Sequence, residues 1–283
     1  MNDIVLTLSC EDRPGIVALV AGFLADRGFT IRDSQQFGDV DTGLFFMRVH
    51  AANHEVFDIA DLQLELQSSV AAPLAAEARI HDPSVPLRML VMVSKQGHCL
   101  NDLLHRVRSG SMPATIVGVV SNHETFRDLV EWQGIPFHYV PVTANSKQAA
   151  EDELRKLVAT YEADSVVLAR YMQILSNDLC RELEGRAINI HHSLLPSFKG
   201  ARPYFQAHAR GVKVIGATAH YVTADLDEGP IIEQDFARVD HTRSASDLTA
   251  IGRDLEALAL ARAVTAHAEH RVLLDGTKTV VFR

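Results

Sequence analysis

Only three cysteines, Cys10, Cys99 and Cys180, occur in 283 residues, and no CxxC pair is formed among them. That excludes a disulfide framework and a thiolate zinc site, and fits thiols used as small core residues in a reducing cytoplasm. Positive charge is also short. The 27 Lys and Arg face 36 Asp and Glu, a net charge of −9 with His neutral. Phosphate backbones need a basic surface, so no nucleic-acid partner is expected. No run of about 18 apolar residues occurs, so no membrane-spanning helix is expected. Met1-Asn2-Asp3 lacks the basic opening of a secretory signal, which again points to a cytoplasmic location. Low-complexity segments are lacking too. What is present is a large apolar fraction, 47%, ample for packed cores. At roughly 150 residues per domain, the length predicts two domains or one large one.

Apolar spacing divides the chain. Asp3–Cys10 reads as a strand, Glu11–Gly15 as a turn and Ile16–Asp26 as a helix. Thr30–Gly38 and Gly43–Val49 read as a hairpin, Val56–Val70 as a second helix and Ala75–His81 as a closing strand. The order βαββαβ is the ferredoxin-like split-βαβ plan. The stiff segment Asp82-Pro83-Ser84-Val85-Pro86 marks a domain boundary. Beyond it, Leu87–Val93 is a nearly continuous apolar run, as expected of a strand buried on both faces of a parallel sheet. Helices at Cys99–Arg108, Glu124–Trp132 and Lys147–Tyr161 alternate with strands at Ala114–Val120, Pro136–Val140 and Ser165–Ala169. This alternation predicts a doubly wound α/β sheet, continued by Ala187–Ile190, Val214–Tyr221 and Ile231–Ala237, with a long helix at Ala245–His270.

Ile188–Pro196 (INIHHSLLP) ends a buried strand in Asn189, His191, His192 and Ser193 and then breaks into a loop over Ser193–Gly200. Open α/β sheets place ligands at this strand edge. Strand alternation turns Asn189 and His191 to one face and His192 to the other. Side chains facing apart cannot share one ion, so no metal is expected at the histidine pair. His220–Pro230 (HYVTADLDEGP) is a second strand end, followed by an acidic loop with Asp225, Asp227 and Glu228. A carboxylate can orient an imidazole, and an amide can donate to an oxyanion. Each residue alone has an ordinary reading as well: Asn189 as a strand-end cap, His191 as a satisfied structural histidine, Asp227 as a solvated loop charge. From the residues alone, a hydrolase and a transferase both stay open.

INIHHSLLPSFKG followed by GATAHYVTADLDEGPII resembles the catalytic region of the folate-dependent formyltransferase family. Its members are the glycinamide ribonucleotide transformylases, the formylases of initiator methionyl-tRNA and the formyltetrahydrofolate deformylases. The resemblance runs from Leu87 to the C-terminus and implies a Rossmann-like formyltransferase domain. It assigns Asn189, His191 and Asp227 as catalytic residues, the Asp lying seven positions after His220. Tyr171-Met172-Gln173-Ile174-Leu175 matches the segment that grips the pterin. Met172, Gln173, Ile174 and Leu175, with His220, would therefore bind folate. Gln173 stands where an arginine is often found.

The loop Ser94–Leu104 has one glycine and resembles the deformylase pattern SKxxHCLxDLL, without the glycine-rich phosphate cradle of the ribonucleotide transformylases. Glu11-Asp12-Arg13-Pro14-Gly15-Ile16-Val17-Ala18 resembles the opening turn of ACT domains, and an ACT domain before this catalytic domain matches the deformylase branch. His192 fits too, where the other members tend to have proline. The implied layout is an ACT domain over 1–82, a linker over 83–87 and a catalytic domain over 88–283. The implied reaction is hydrolysis of 10-formyltetrahydrofolate to tetrahydrofolate and formate, supplying formate for purine biosynthesis and balancing one-carbon pools. No cofactor and no metal are expected. The ACT domain would either sense an amino acid, glycine or methionine being the first to try, at an effector site formed by Asp12, Arg13 and Gly15, or serve only assembly, and the protein would be a homo-oligomer, specifically a tetramer. Two other classes stay in view. One is a formyltransferase with an unrecognised amine acceptor. The other is a catalytically idle regulator, against which the intact Asn189, His191 and Asp227 set argues.

Overall fold

The computed structural model describes residues 2–143, 145–196 and 203–283. It divides into two compact units, Met1–Pro86 with Glu269–Arg283, and Leu87–Ala268. The first contains β1 (Asn2–Glu11), α1 (Ile16–Ala25), β2 (Thr30–Asp39) and β3 (Leu44–Asn53). It continues with α2 (Ile59–Leu66), which passes through a wider turn at Gln67–Ala71 into α3 (Ala72–Leu74), and with β4 (Glu77–His81). The strands form one antiparallel sheet in the order β2-β3-β1-β4. Alternate residues of β1, Ile4, Leu6, Leu8 and Cys10, are buried against Ile16, Val20 and Leu24 of α1 and Leu62 and Leu66 of α2. This is the βαββαβ plan, with period-two burial on the strands meeting period-3.6 burial on the helices.

The C-terminal segment departs from the expected layout, which assigned it to the catalytic domain. Val272–Asp275 (β12) and Lys278–Val281 (β13) form a hairpin belonging to the first unit. Its anchors are polar. The buried Arg48 guanidinium donates to the Glu269 carbonyl at 3.0 and 3.2 Å, Lys278 Nζ lies 2.8 Å from Asp39 Oδ2, and the Arg283 backbone N–H donates to Gln35. His81 and His270 stack with ring centroids 3.7 Å apart.

The second unit holds β5 (Leu87–Val93), α4 (His98–Arg108), β6 (Ala114–Ser121), α5 (Arg127–Trp132), β7 (Phe137–Tyr139) and α6 (Lys147–Thr160). There follow β8 (Ser165–Leu168), α7 (Asn177–Glu182), β9 (Ala187–His191), α8 (Pro203–Arg210), β10 (Val214–Tyr221), β11 (Ile231–Arg238) and α9 (Ala245–Ala268). The sheet order is β11-β10-β9-β8-β5-β6-β7. Strands β5 to β9 run parallel, with Met89 to Val93 of β5 fully buried. Strands β10 and β11 run antiparallel to their neighbours, so the sheet is mixed where a continued doubly wound sheet was expected. The nine residues between β10 and β11 are too few for a parallel crossover. The chain winds from β5 outward through β6 and β7, then returns to β8 on the other side. The crevice this leaves at the strand ends is where such sheets bind ligands. No helix among the described residues is long and apolar enough to cross a membrane.

The His81–His270 stack makes the first unit acid-sensitive. Burial, reinforced by His270 and Arg79, brings the His81 imidazole down to about 3. Between that value and the ordinary histidine value of about 6.5 the unfolded chain binds a proton that the folded chain refuses, so stability falls as pH falls. The slope for one such group is at most about 1.4 kcal/mol per pH unit. We expect His81→Gln to lose less stability than the parent in urea melts taken from about pH 7.5 to about pH 5. Parallel curves would overturn the assignment.

Candidate active site

The site begins with a register. In the antiparallel pairing of β9 with β10, Asn189 lies directly opposite His220 and His191 opposite Thr218. His220 Nδ1 is 2.8 Å from the Tyr221 carbonyl oxygen, which can only accept, so this nitrogen carries the proton. Burial pushes the His220 imidazole below its ordinary range, against the pull of that hydrogen bond and of Asp227. The ring is therefore neutral and its Nε2 accepts. Asn189 Nδ2 lies 3.2 Å from that nitrogen and donates to it. The contact fixes the amide orientation and leaves the second Asn189 N–H for another acceptor.

Asp227 reaches the same place from the loop after β10. Its φ of 57° is left-handed, an uncommon conformation for a residue with a side chain. Two residues on, a Cβ at Gly229 would stand 1.7 Å from the Tyr221 carbonyl oxygen, so only glycine lets the loop fold back this closely. The turn sets Asp227 Oδ2 3.2 Å from His191 Nδ1 and Oδ1 3.8 Å from His220 Nε2. Burial pushes the Asp227 carboxyl up. Interaction with His191, its hydrogen bond above all, outweighs this and holds the group below the usual carboxylate range. Nε2 of His191 is buried with no hydrogen-bond partner among the described residues.

These groups line one cavity of about 480 Å³, together with Met172, Gln173, Ile174 and Leu175. The predicted folate segment has two large apolar side chains in solvent, Met172 at 56% and Ile174 at 61% exposure, while Leu175 is 7% exposed. The loop is pinned by the Met172 backbone N–H, which donates to Ser94 Oγ at 3.0 Å. The structure thus brings together Asn189, His191, Asp227, His220 and the 172–175 segment.

His192 corrects an expectation. It does not turn to the opposite face. It lies one residue past the end of β9, where alternation no longer applies, and it lines the same cavity. Its ring stacks on His191, with centroids 4.9 Å apart and planes at 21°. Its Nδ1 is 2.6 Å from Arg170 Nη1. Arg170, Gln96, Tyr204 and Glu256 also line the cavity and were not singled out from the sequence. A buried arginine directly after an apolar strand was the available signal. Residues 197–200 of the loop read as Ser193–Gly200 lie outside the described residues.

His98, Cys99 and Glu256 bring three ligand-type atoms within 4.8 Å of one another, the one such group among the described residues. The donor set does not suit a cation. Burial pushes the Cys99 thiol well up, so no thiolate is on offer. Glu256 already accepts from His98 and Tyr204, and it lies 3.3 Å from the Arg170 guanidinium, whose charge repels a metal. All three cysteines are free and buried.

Asp12, Arg13 and Gly15 belong to the first unit and are exposed in the turn between β1 and α1. Gly15 takes a φ of 99° at the start of α1, and Arg13 Nη2 donates to the Pro73 carbonyl at 2.9 Å.

Comparison with known proteins is consistent along the whole chain. The formyl transferase family model matches residues 87–264, and the ACT domain model matches residues 4–65. A protein named formyltetrahydrofolate deformylase from Corynebacterium sp. (strain P-1) is 50% identical over 279 residues, covering 99% of this chain and 98% of the relative. One of the same name from Bacillus subtilis (strain 168) is 46% identical, covering 98% of this chain and 93% of the relative. A crystal structure of formyltetrahydrofolate deformylase from Burkholderia mallei ATCC 23344 superposes with a TM-score of 0.96 at 47% identity, and each chain is fully covered. With both domains in the same order and likeness end to end, the chain belongs to the formyltetrahydrofolate deformylase family.

Proposed function

We propose that this chain hydrolyses 10-formyltetrahydrofolate to tetrahydrofolate and formate. The observation that carries the reading is the convergence of Asn189, His191 and Asp227 in one cavity with the exposed apolar pair Met172 and Ile174. An apolar lip suits a flat ring system, and the polar cluster suits attack on a carbonyl-level carbon. Water held by the Asp227 carboxylate attacks the formyl carbon, and its proton passes to the bare Nε2 of His191, whose Nδ1 hydrogen stays on Asp227. The remaining Asn189 N–H donates to the oxyanion. Collapse then breaks the C–N bond, with the proton returning from His191 Nε2 to the folate nitrogen. These steps use side chains alone and need no cofactor. In the cell the reaction supplies formate for purine biosynthesis and balances one-carbon pools. The direct test is incubation of the pure protein with 10-formyltetrahydrofolate, with formate and tetrahydrofolate assayed in the absence of any amine. Release of equimolar formate is expected. Turnover that requires an added amine would defeat the reading.

Three substitutions separate the roles. Asn189→Ala should lower kcat by about 10²–10³-fold with little change in KM, because negative charge develops on the oxygen only during attack. A variant that melts lower yet turns over normally would make Asn189 a strand-end cap. Asp227→Asn keeps the shape and removes the charge that Asp227 carries at neutral pH. A loss of about 10²-fold in turnover is expected, and near-normal turnover would remove Asp227 from the mechanism. Met172→Ala should weaken binding of a folate analogue by about 1–2 kcal/mol, the worth of a partly buried apolar side chain. Unchanged affinity in titration calorimetry would return this loop to a structural role.

A further inference from the structure

Arg170 is 8% exposed and has a left-handed φ of 65°, directly after the end of β8. Its guanidinium serves three partners. Nη1 lies 2.6 Å from His192 Nδ1, and Nε lies 3.2 Å from Gln96 Oε1 and 3.3 Å from Glu256 Oε2. Glu256, at 1% exposure on α9, is built in from the other side by His98 Nε2 at 2.7 Å and the Tyr204 hydroxyl at 2.6 Å. Room for that hydroxyl comes from Gly252, where a Cβ would stand 2.0 Å from the Tyr204 ring. Nothing in the hydrolytic steps above uses this network. Its charged centre nevertheless touches a ring that stacks on the proposed proton carrier.

An arginine has hydrogens to give and no lone pair to accept with. A ring nitrogen 2.6 Å from it must therefore be unprotonated, and a neutral imidazole acceptor at Nδ1 has its hydrogen on Nε2. We propose that Arg170, held in place by Glu256, is a positioning residue that keeps His192 neutral in its Nε2–H form, so that within the His191–His192 stack only His191 takes the proton. Two imidazolium rings at this spacing would repel, so a protonated His192 would make His191 a poorer base. Among the charged groups near His192, Arg170 touches its ring with Glu256 held on the guanidinium, His191 stacks on it, and Asp227 is close enough to interact electrostatically. Tyr204 faces it at a centroid distance of 6.4 Å. Asp227 and Glu256 would both favour a proton on His192. Arg170, in direct contact with the ring, opposes them.

The proposal rests on the hydrolytic reading for its kinetic consequence, but not for its state of protonation. Nitrogen-15 NMR of the full chain, without substrate, reads the His192 tautomer. We expect a bare Nδ1 and a protonated Nε2 from about pH 6 to about pH 8.5, whatever the enzyme's substrate. A proton on Nδ1 in that range would overturn the proposal. In Arg170→Met, His192 should become protonatable. The acid limb of kcat against pH should then move up, with a loss of about tenfold near pH 6 and a much smaller one near pH 8.5. Arg170→Met combined with His192→Asn should move the limb back. A uniform loss at every pH that the second substitution does not relieve would make Arg170 a packing residue. If Arg170→Met does not fold, Glu256→Gln loosens the same guanidinium, and the His192 nitrogen signals report whether its hold is lost. A tautomer unchanged in a folded Glu256→Gln would remove Glu256 from the device.

Discussion

The Asp227 carboxylate lies where three imidazoles converge, and the chemistry proposed for the cavity depends on the charge it keeps there. Its partner His191 is 3.2 Å away. At that distance two unit charges attract by roughly 5 kcal/mol at an effective dielectric of 20. Removing both from water costs several kcal/mol for each ion. When His191 takes the proton during turnover, the resulting ion pair therefore adds little to net stability. What it does is directional. A hydrogen on His191 Nδ1 is committed to Asp227, and the opposite nitrogen, Nε2, is left buried at the cavity. A carboxylate that orients one ring nitrogen and leaves the other unpaired suits a histidine to carry a proton, the role proposed for His191.

That arrangement depends in turn on backbone geometry. The antiparallel addition of β10 to β9 puts His220 opposite Asn189. A parallel neighbour would have carried its strand end away in the other direction. The loop after β10 must then come back over the strand it has just left. Gly229 allows the close pass and Asp227 absorbs the sharp turn in a left-handed conformation. Uncommon backbone at a residue proposed to carry chemistry is a cost accepted for position. The neutral His220, locked by its own backbone neighbour, completes the set by fixing which way the Asn189 amide faces.

Much of this fold was legible because its elements are local. β1 alternates in burial over Leu6–Cys10 and β5 is apolar apart from Arg88, and both patterns are visible in the residues themselves. Direction within a sheet is not local. Val214–Tyr221 and Ile231–Arg238 have the composition of further parallel strands, and only the short connection between them argues against a crossover. The C-terminal hairpin was missed for a related reason. Its return to the first unit is carried by Arg48, Asp39 and Gln35, residues that read on their own as ordinary polar positions of a strand. Nothing in them announces a partner more than 220 positions away.

The site divides along the same line. Asn189, His191 and Asp227 stand in two short stretches whose residue types are unusual at the ends of apolar strands, so they could be picked out before any geometry was known. The network behind them could not. His192 stands in the same stretch as Asn189 and His191, but Arg170, Glu256, His98 and Tyr204 come from separate parts of the chain, and nothing in the residues around them marks them as its partners. Glu256 in particular lies in a helix whose alternation of alanine, leucine and charge gives no sharp apolar face. Its burial becomes sensible only when His98, Tyr204 and Arg170 are found to satisfy it. A buried carboxylate costs too much to keep without such partners. The presence of all three, meeting at the one guanidinium that touches His192, is the physical reason to regard the network as part of the site's proton control and not as packing alone.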